Sequence, residues 1–521
     1  MSGGADHLLV LPIVLPLAAG ALLLVVERWW PRGEQALAWA ATVGLAAVAF
    51  ALLGRADSGA IAVYLLGNWP PPFGIVLALD RLAALLVALT AAVALAALAF
   101  AGAGWARRGP HFQAFFQFQL AGLNGAFLTA DLFNLFVFFE VLLIASYALL
   151  LHAGGGRALR SGYHYVVINL AGSSLFLIAA SLFYGLVGTL NLADLAQKIA
   201  VAPAENHALL RIAGMLLLVV FAIKAAVLPL GFWLPETYRA APAPVAALFA
   251  LMTKVGVYAI LRTTTLLFGD GAGPLAQLGA STLFVLGIGT LALGALGALA
   301  AVQLRGVVAS LVVVSAGTLV ATGAVATGPA LGGAIYYLLH STLAAALLFL
   351  LVEPIARQRG GVGDRLHSGA PVTQWTLLGL LYLVAAMAIA GLPPLSGFVG
   401  KLGILAATAP LPQAPALWAA VLVSGLLATI VLARAGSRIF WKAQGAPPDA
   451  AAARILPAEL AGVGMLACAL LLLAVFAGPA QRYARAAAAQ LLDPAAYVTA
   501  VLLAEPVRRP ARVSARAEAS P

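Results

Sequence analysis

Runs of about 20 predominantly apolar residues, the length that crosses a bilayer as a helix, recur along the whole chain between short polar connectors. They place spans at 8–26, 36–53, 82–103, 112–130, 132–152, 163–186, 208–230, 243–267, 278–302, 307–327, 329–351, 373–395, 416–440 and 457–478. Fourteen such runs predict an all-α polytopic membrane protein. Between the sixth and seventh, Leu192 to Ala204 reads as an amphipathic connector. After the last, Gln481 to Leu503 reads as a surface helix and the arginine-bearing end from Pro506 to Pro521 as disordered. The first run contains Pro12 and Pro16 and has no basic residue ahead of it, so it reads as a retained span rather than a cleaved signal.

Two of the runs are interrupted. In the seventh, Lys224 is followed by Pro229, Gly231 and Pro235; in the twelfth, Gly391, Pro393, Pro394 and Gly397 precede Lys401. Proline removes a helical hydrogen bond, and in lipid the freed carbonyls need water, side chains or neighbouring helices. A broken helix with a lysine at the break therefore predicts a buried, partly hydrated ion site. The breaks lie five spans apart, an odd number, so the two helices cross in opposite directions. That is the pattern of an inverted repeat, pairing spans 4–8 with spans 9–13. It divides the chain into helices 1–3 (1–111), a first repeat half (112–268), a second (269–440), helix 14 (441–480) and a tail (481–521).

Composition agrees: 63% of residues are hydrophobic, 9% are charged, and the mean hydropathy is +1.03. The net charge of +11 comes from lysines and arginines scattered singly between apolar runs, which is topology signal rather than a nucleic-acid surface. Fifteen of them, from Arg28 and Arg32 to Lys442 and Arg454, follow odd-numbered spans. Five, namely Arg55, Arg81, Lys198, Arg211 and Arg262, follow even-numbered ones. By the positive-inside rule the odd connectors are cytoplasmic and both termini lie outside. The single cysteine, Cys468, excludes an intrachain disulfide and a cysteine-rich metal site.

Five ionisable residues sit well inside apolar runs: Glu140, Lys224, Lys254, His340 and Lys401. A charge at the middle of a bilayer costs about 2.5–3.5 kcal/mol on insertion scales, so such residues mark ion or proton paths by default. A carboxylate at Glu140 facing Lys224 at about 5 Å would contribute roughly 3 kcal/mol at an effective dielectric near 20, and moving the partners apart would reverse that gain. Imidazole accepts and donates a proton near neutral pH, which makes His340 a relay between the buried lysines. The plainer alternatives are a structural ion pair for Glu140, a snorkelling Lys254, a hydrogen-bonded core histidine at His340, and an interfacial Lys401. Asp131 reads as a helix cap, His164 as a candidate proton port, and Asn124, Asn169, Ser173, Ser174 and Thr253 as water-lining or helix-joining groups. There is no nucleotide loop, metal-ligand cluster or catalytic triad, which excludes a conventional soluble enzyme.

At these residues the chain resembles the proton-channel membrane subunits shared by respiratory complex I, membrane-bound hydrogenases and Mrp-type multisubunit cation/proton antiporters. The resemblance rests on Asn134 to Tyr147, Leu182 to Asp194, Lys224 to Tyr238, Ala241 to Tyr258 and Gly391 to Lys401, which look most like the D-type component of the antiporters. It implies fourteen helices with the inverted repeat and no cofactor. It implies Glu140 and Lys224 as the buried pair, Lys254 as the central lysine, His340 as the relay and Lys401 as the terminal lysine. One complex I subunit of this group has glutamate at that last position, which speaks against that subunit. An Mrp-type membership implies a complex with the A (or A/B), C, E, F and G components in a bacterial inner membrane, and Na+ or K+ exchanged for protons. The alternative within the resemblance is a proton-pumping subunit of complex I or a hydrogenase.

Overall fold

The computed structural model describes residues 6–152, 154–444 and 454–507. It is almost wholly helical, and the helices follow the apolar runs. In order they are α1 (Leu11–Trp29), α2 (Pro31–Ala56), α3 (Arg81–Ala101), α4 (Phe112–Leu128), α5 (Leu132–Leu151), α6 (Gly156–Val187), the connector helix α7 (Leu192–Ala200), and α8 (His207–Lys224). Then come α9 (Trp233–Ala240), α10 (Ala243–Leu266), α11 (Ala280–Ala300), α12 (Leu304–Val325), α13 (Gly328–Gln358), α14 (Trp375–Ala390), α15 (Ser396–Thr408), α16 (Ala414–Gly436), α17 (Pro457–Val475), α18 (Ala477–Leu491) and α19 (Pro494–Leu502). Among the described residues, twelve helices are long and apolar enough to cross a membrane. α4, with 17 residues, and α14 and α15, with 16 and 13, are shorter.

Helices that are apolar all round belong in the middle of a bundle. α3, α10, α12 and α13 are enclosed on nearly every side, whereas α1, α2, α6, α11, α16 and α17 expose apolar flanks such as Phe50, Ile178, Val285 and Leu426. Lys254 and His340 thus sit on two of the central helices. Small residues allow the closest helix contacts. A Cβ on Gly317 of α12 would lie 2.4 Å from Leu291 N, and one on Gly287 of α11 would lie 2.5 Å from Ala321 N. The two helices therefore meet backbone to backbone.

Both interruptions are present, with different extents from those read in the sequence. The seventh span ends at Lys224 itself rather than near 230, and the chain runs through Ala225–Phe232 before α9 begins. The twelfth stops at Ala390, and the residues after the Pro393–Pro394 turn form a separate helix, α15, that carries Lys401. α6 lies against both α8 and α9, and α13 lies against both α14 and α15, the same local arrangement around each break.

Several sequence expectations are corrected. A two-stranded antiparallel hairpin, β1 (Ala62–Leu65) with β2 (Val76–Leu79), precedes α3, with Ala62 opposite Leu79. Its signal is the β-branched and aromatic residues either side of Gly67-Asn68 and the Pro70–Pro72 turn. The segment read as one surface helix is two, and α18 packs on α3 and α13. Beyond Val507 the end read as disordered lies outside the described residues. Arg262 is no connector cation: it is buried in α10, donating at 2.5 Å to Asp80, which also caps α3 by accepting from Ala83 N. Nor is Arg359 a solvated loop residue: it is 1% exposed and donates to the carbonyls of Gly363, Arg365 and His367. Asp131 caps α5 through Asn134 N, as its position predicts.

Gly317→Val would force α11 and α12 apart, a small-to-large change that costs typically about 1–3 kcal/mol or more. Membrane yield of folded protein should fall sharply for this variant and hold for Gly464→Val, where the added carbon meets nothing within 4 Å.

Candidate functional site

Each buried amine or imidazole on the predicted path finds a neutral partner supplied by a neighbouring helix. Lys224, the last residue of α8, donates from Nζ to Asn169 Oδ1 at 3.2 Å, and its Nζ lies 5.6 Å from the centre of the Phe139 ring. The ring adds a cation–π contact to that one hydrogen bond. Glu140 and Lys224 form no direct ion pair. Instead the Glu140 carboxylate accepts a hydrogen bond from Ser173 Oγ. Asn169 and Ser173 are one turn apart on α6, on one face at i and i+4 spacing. Asn169 holds the base and Ser173 the acid, and no hydrogen bond joins the two side chains; the Asn169 amide donates instead to Tyr165 O. From sequence both read only as water-lining or helix-joining groups, since nothing in their own segment points to a charged partner.

Lys254, 1% exposed on α10, donates to Ser315 Oγ of α12 at 2.6 Å. Ser315 carries no distinguishing signal within its run of valines. The link back to Lys224 is a close backbone approach: a Cβ on Gly256 would lie 2.4 Å from Ala225 N and 2.6 Å from the Lys224 carbonyl carbon. Glycine is required there because any side chain would push α10 off the end of α8. His340 of α13 shares a hydrogen bond between Nδ1 and Ser396 Oγ at 2.9 Å. A Cβ on Gly397 would come 2.8 Å from its Nε2. Lys401 of α15 reaches back to the end of α14, donating to Ile389 O at 3.0 Å and Ala390 O at 2.9 Å.

The five residues singled out from sequence lie on α5, α8, α10, α13 and α15, and α6 and α12 supply partners between them. The breaks are stabilised in parallel ways. At the first, Trp233 of α9 donates Nε1 to Ile223 O at 3.1 Å and Thr290 Oγ1 accepts from Leu228 N at 2.8 Å. At the second, the Lys401 amine caps the orphan carbonyls. A cavity of about 510 Å³ between α9, α11 and α12 reaches Ala226 and Leu228 in the first break, with Glu236 and Arg239 among its lining residues. His164, read as a proton port, is exposed near the start of α6 and bonds to Arg160 O; it touches none of the five. Among the described residues no group of histidines, cysteines and carboxylates could hold a metal ion.

Since Cys468 is the only cysteine, a Cys468→Ser background makes the cavity testable. Leu228→Cys should react with a charged, membrane-impermeant thiol reagent through the cavity, whereas Leu248→Cys, at 0% exposure on α10, should not.

Residues 129–428 match the family described as NADH:quinone oxidoreductase/Mrp antiporter, TM. The chain is 42% identical to the probable D subunit of a K(+)/H(+) antiporter of Rhizobium meliloti, covering 97% of this chain and 99% of that one. It is 36% identical to the D subunit of the Na(+)/H(+) antiporter of Alkalihalophilus pseudofirmus, covering 95% and 99%. A chain of the Mrp complex from Dietzia superposes with a TM-score of 0.85 at 27% identity, covering 96% of this chain and 100% of that chain. A chain of Thermus thermophilus respiratory complex I gives 0.77 at 26%, covering 93% and 99%. The chain belongs to this family of membrane subunits, shared by NADH:quinone oxidoreductases and Mrp antiporters.

Proposed function

We propose that the chain is the D component of a multisubunit antiporter exchanging cytoplasmic Na+ or K+ for external protons, a secondary transporter subunit rather than an enzyme. The observation that carries this reading is the set of buried ionisable residues each held by neutral groups, Lys224 by Asn169, Lys254 by Ser315, His340 by Ser396 and Lys401 by two backbone carbonyls, with Glu140 held by Ser173 of the helix that carries Asn169. Relatives named as antiporter subunits along nearly their full length support it. Protons enter half-channels hydrated at the helix breaks and pass along Lys224, Lys254, His340 and Lys401. Glu140 sets how firmly Lys224 holds its proton, and motion that moves the two apart weakens that hold. The breaks are the paired elements of an inverted repeat, the odd connectors face the cytoplasm of a bacterial inner membrane, and both termini lie outside.

Partners follow from the same residues. Glu140 is only partly buried, on a flank of α5 where Phe133, Val137 and Ile144 are 47%, 38% and 61% exposed. A carboxylate at membrane depth on a lateral face is costly unless a neighbouring chain covers it. The other Mrp components, A (or A/B), C, E, F and G, are the proposed neighbours. Likeness to a complex I chain favours a second reading, a redox-driven proton pump; co-purification with iron–sulfur and flavin subunits would support it.

The test is cation-induced dissipation of a respiration-generated pH gradient in everted vesicles carrying the whole complex, adding Na+ or K+ in turn. Lys224→Ala should abolish the response with assembly intact; normal exchange by that variant contradicts the path. Asn169→Leu removes the hydrogen-bond partner of a charged group, worth about 1.5–3 kcal/mol, so exchange should fall about ten- to a hundredfold. If Glu140→Lys with Lys224→Glu retains full exchange, the pair is merely structural.

A further inference from the structure

On the α6 side of α9 lies a second cavity, of about 690 Å³, lined by Arg160, Ser161, His164, Trp233, Glu236 and Arg239 with Gly156 and Phe232. Its charged lining is unbalanced: two guanidinium groups and an imidazole face one carboxylate, Glu236, which already accepts from Arg239. The Arg160 guanidinium makes no hydrogen bond to any described residue, and the Nε of Arg239 is buried without a partner. Below the mouth, Leu159, Tyr163, Val167 and Leu170 form a stripe down one face of α6, each 50–69% exposed. That combination, unsatisfied cationic donors above an open apolar track, is complementary to an anionic headgroup with an acyl chain beneath it.

We propose that this cavity binds the phosphodiester headgroup of an anionic phospholipid, with Arg160 and Arg239 as its phosphate ligands and the α6 stripe as the bed of an acyl chain. Arg239 exchanges part of its contact with Glu236 for the phosphate, a stronger charge-assisted partner for a planar guanidinium. The site is connected to the first break. Trp233 lines the cavity, stacks on Tyr165 with ring centres 5.1 Å apart, and donates to Ile223 O beside Lys224. A bound headgroup therefore holds α9 against α6 and keeps the end of α8 capped. The assignment is independent of which ion the complex transports.

The intact complex is reconstituted in phosphatidylcholine vesicles containing phosphatidylglycerol, re-extracted in mild detergent, and the retained lipid is measured by native mass spectrometry. Wild type should retain phosphatidylglycerol in preference to phosphatidylcholine. Arg160→Gln, which disturbs no bond within the chain, should weaken retention about fivefold, and Arg160→Gln with Arg239→Gln about thirtyfold. Equal retention by wild type and both variants overturns the site. Release of the lipid by inorganic phosphate alone assigns the cavity to a soluble anion and overturns the lipid identity.

Discussion

A cation inside a membrane protein needs an oxygen to hold it, and the kind of oxygen decides whether it can let go of a proton. In this chain the mid-bundle lysines are held by neutral acceptors: an asparagine amide for Lys224, a serine hydroxyl for Lys254 and backbone carbonyls for Lys401. Three arginines are held by carboxylates, Arg262 by Asp80, Arg305 by Glu353 and Arg357 by Glu459. Guanidinium stays charged under all physiological conditions, and paired with carboxylate it makes a fixed staple. Lysine deprotonates when burial and neighbours favour it, and a neutral partner does not lock in its charged form. The fold thus separates fixed charges from exchangeable ones, which run through the middle.

The broken helices supply what neutral partners cannot. Breaking α8 at Lys224 frees carbonyls and admits a cavity as far as Ala226 and Leu228, so water can take part where a continuous helix would present only hydrocarbon. The two breaks solve the same capping problem with different side chains. An indole on α9 closes the first and the ammonium of Lys401 closes the second. At the second break the capping group is itself on the proposed path.

Much of this is legible in the sequence because membrane helices announce themselves by length and polarity. The apolar runs, both breaks and the five buried ionisable residues are all visible as departures from a uniform background. What escapes are features whose meaning depends on a partner far along the chain. Arg262 looks like a connector residue because its partner, Asp80, lies 182 positions away. Ser315 and Ser396 look like ordinary small polar residues in tightly packed segments. Asn169 and Ser173 stand out as polar groups, but their contacts with Lys224 and Glu140 are a product of how α5, α6 and α8 pack. The hairpin before α3 is hidden because its apolar residues resemble the fringes of the neighbouring spans.

The central claim is that the Glu140 charge acts on Lys224, with Ser173 holding the carboxylate in place for it. A double-mutant cycle on Glu140→Gln and Ser173→Ala, reading cation-driven proton exchange in vesicles with the assembled complex, measures that dependence directly. If Ser173 acts only through Glu140, the double variant loses no more activity than Glu140→Gln alone. Losses that multiply, each substitution acting regardless of the other, would contradict it.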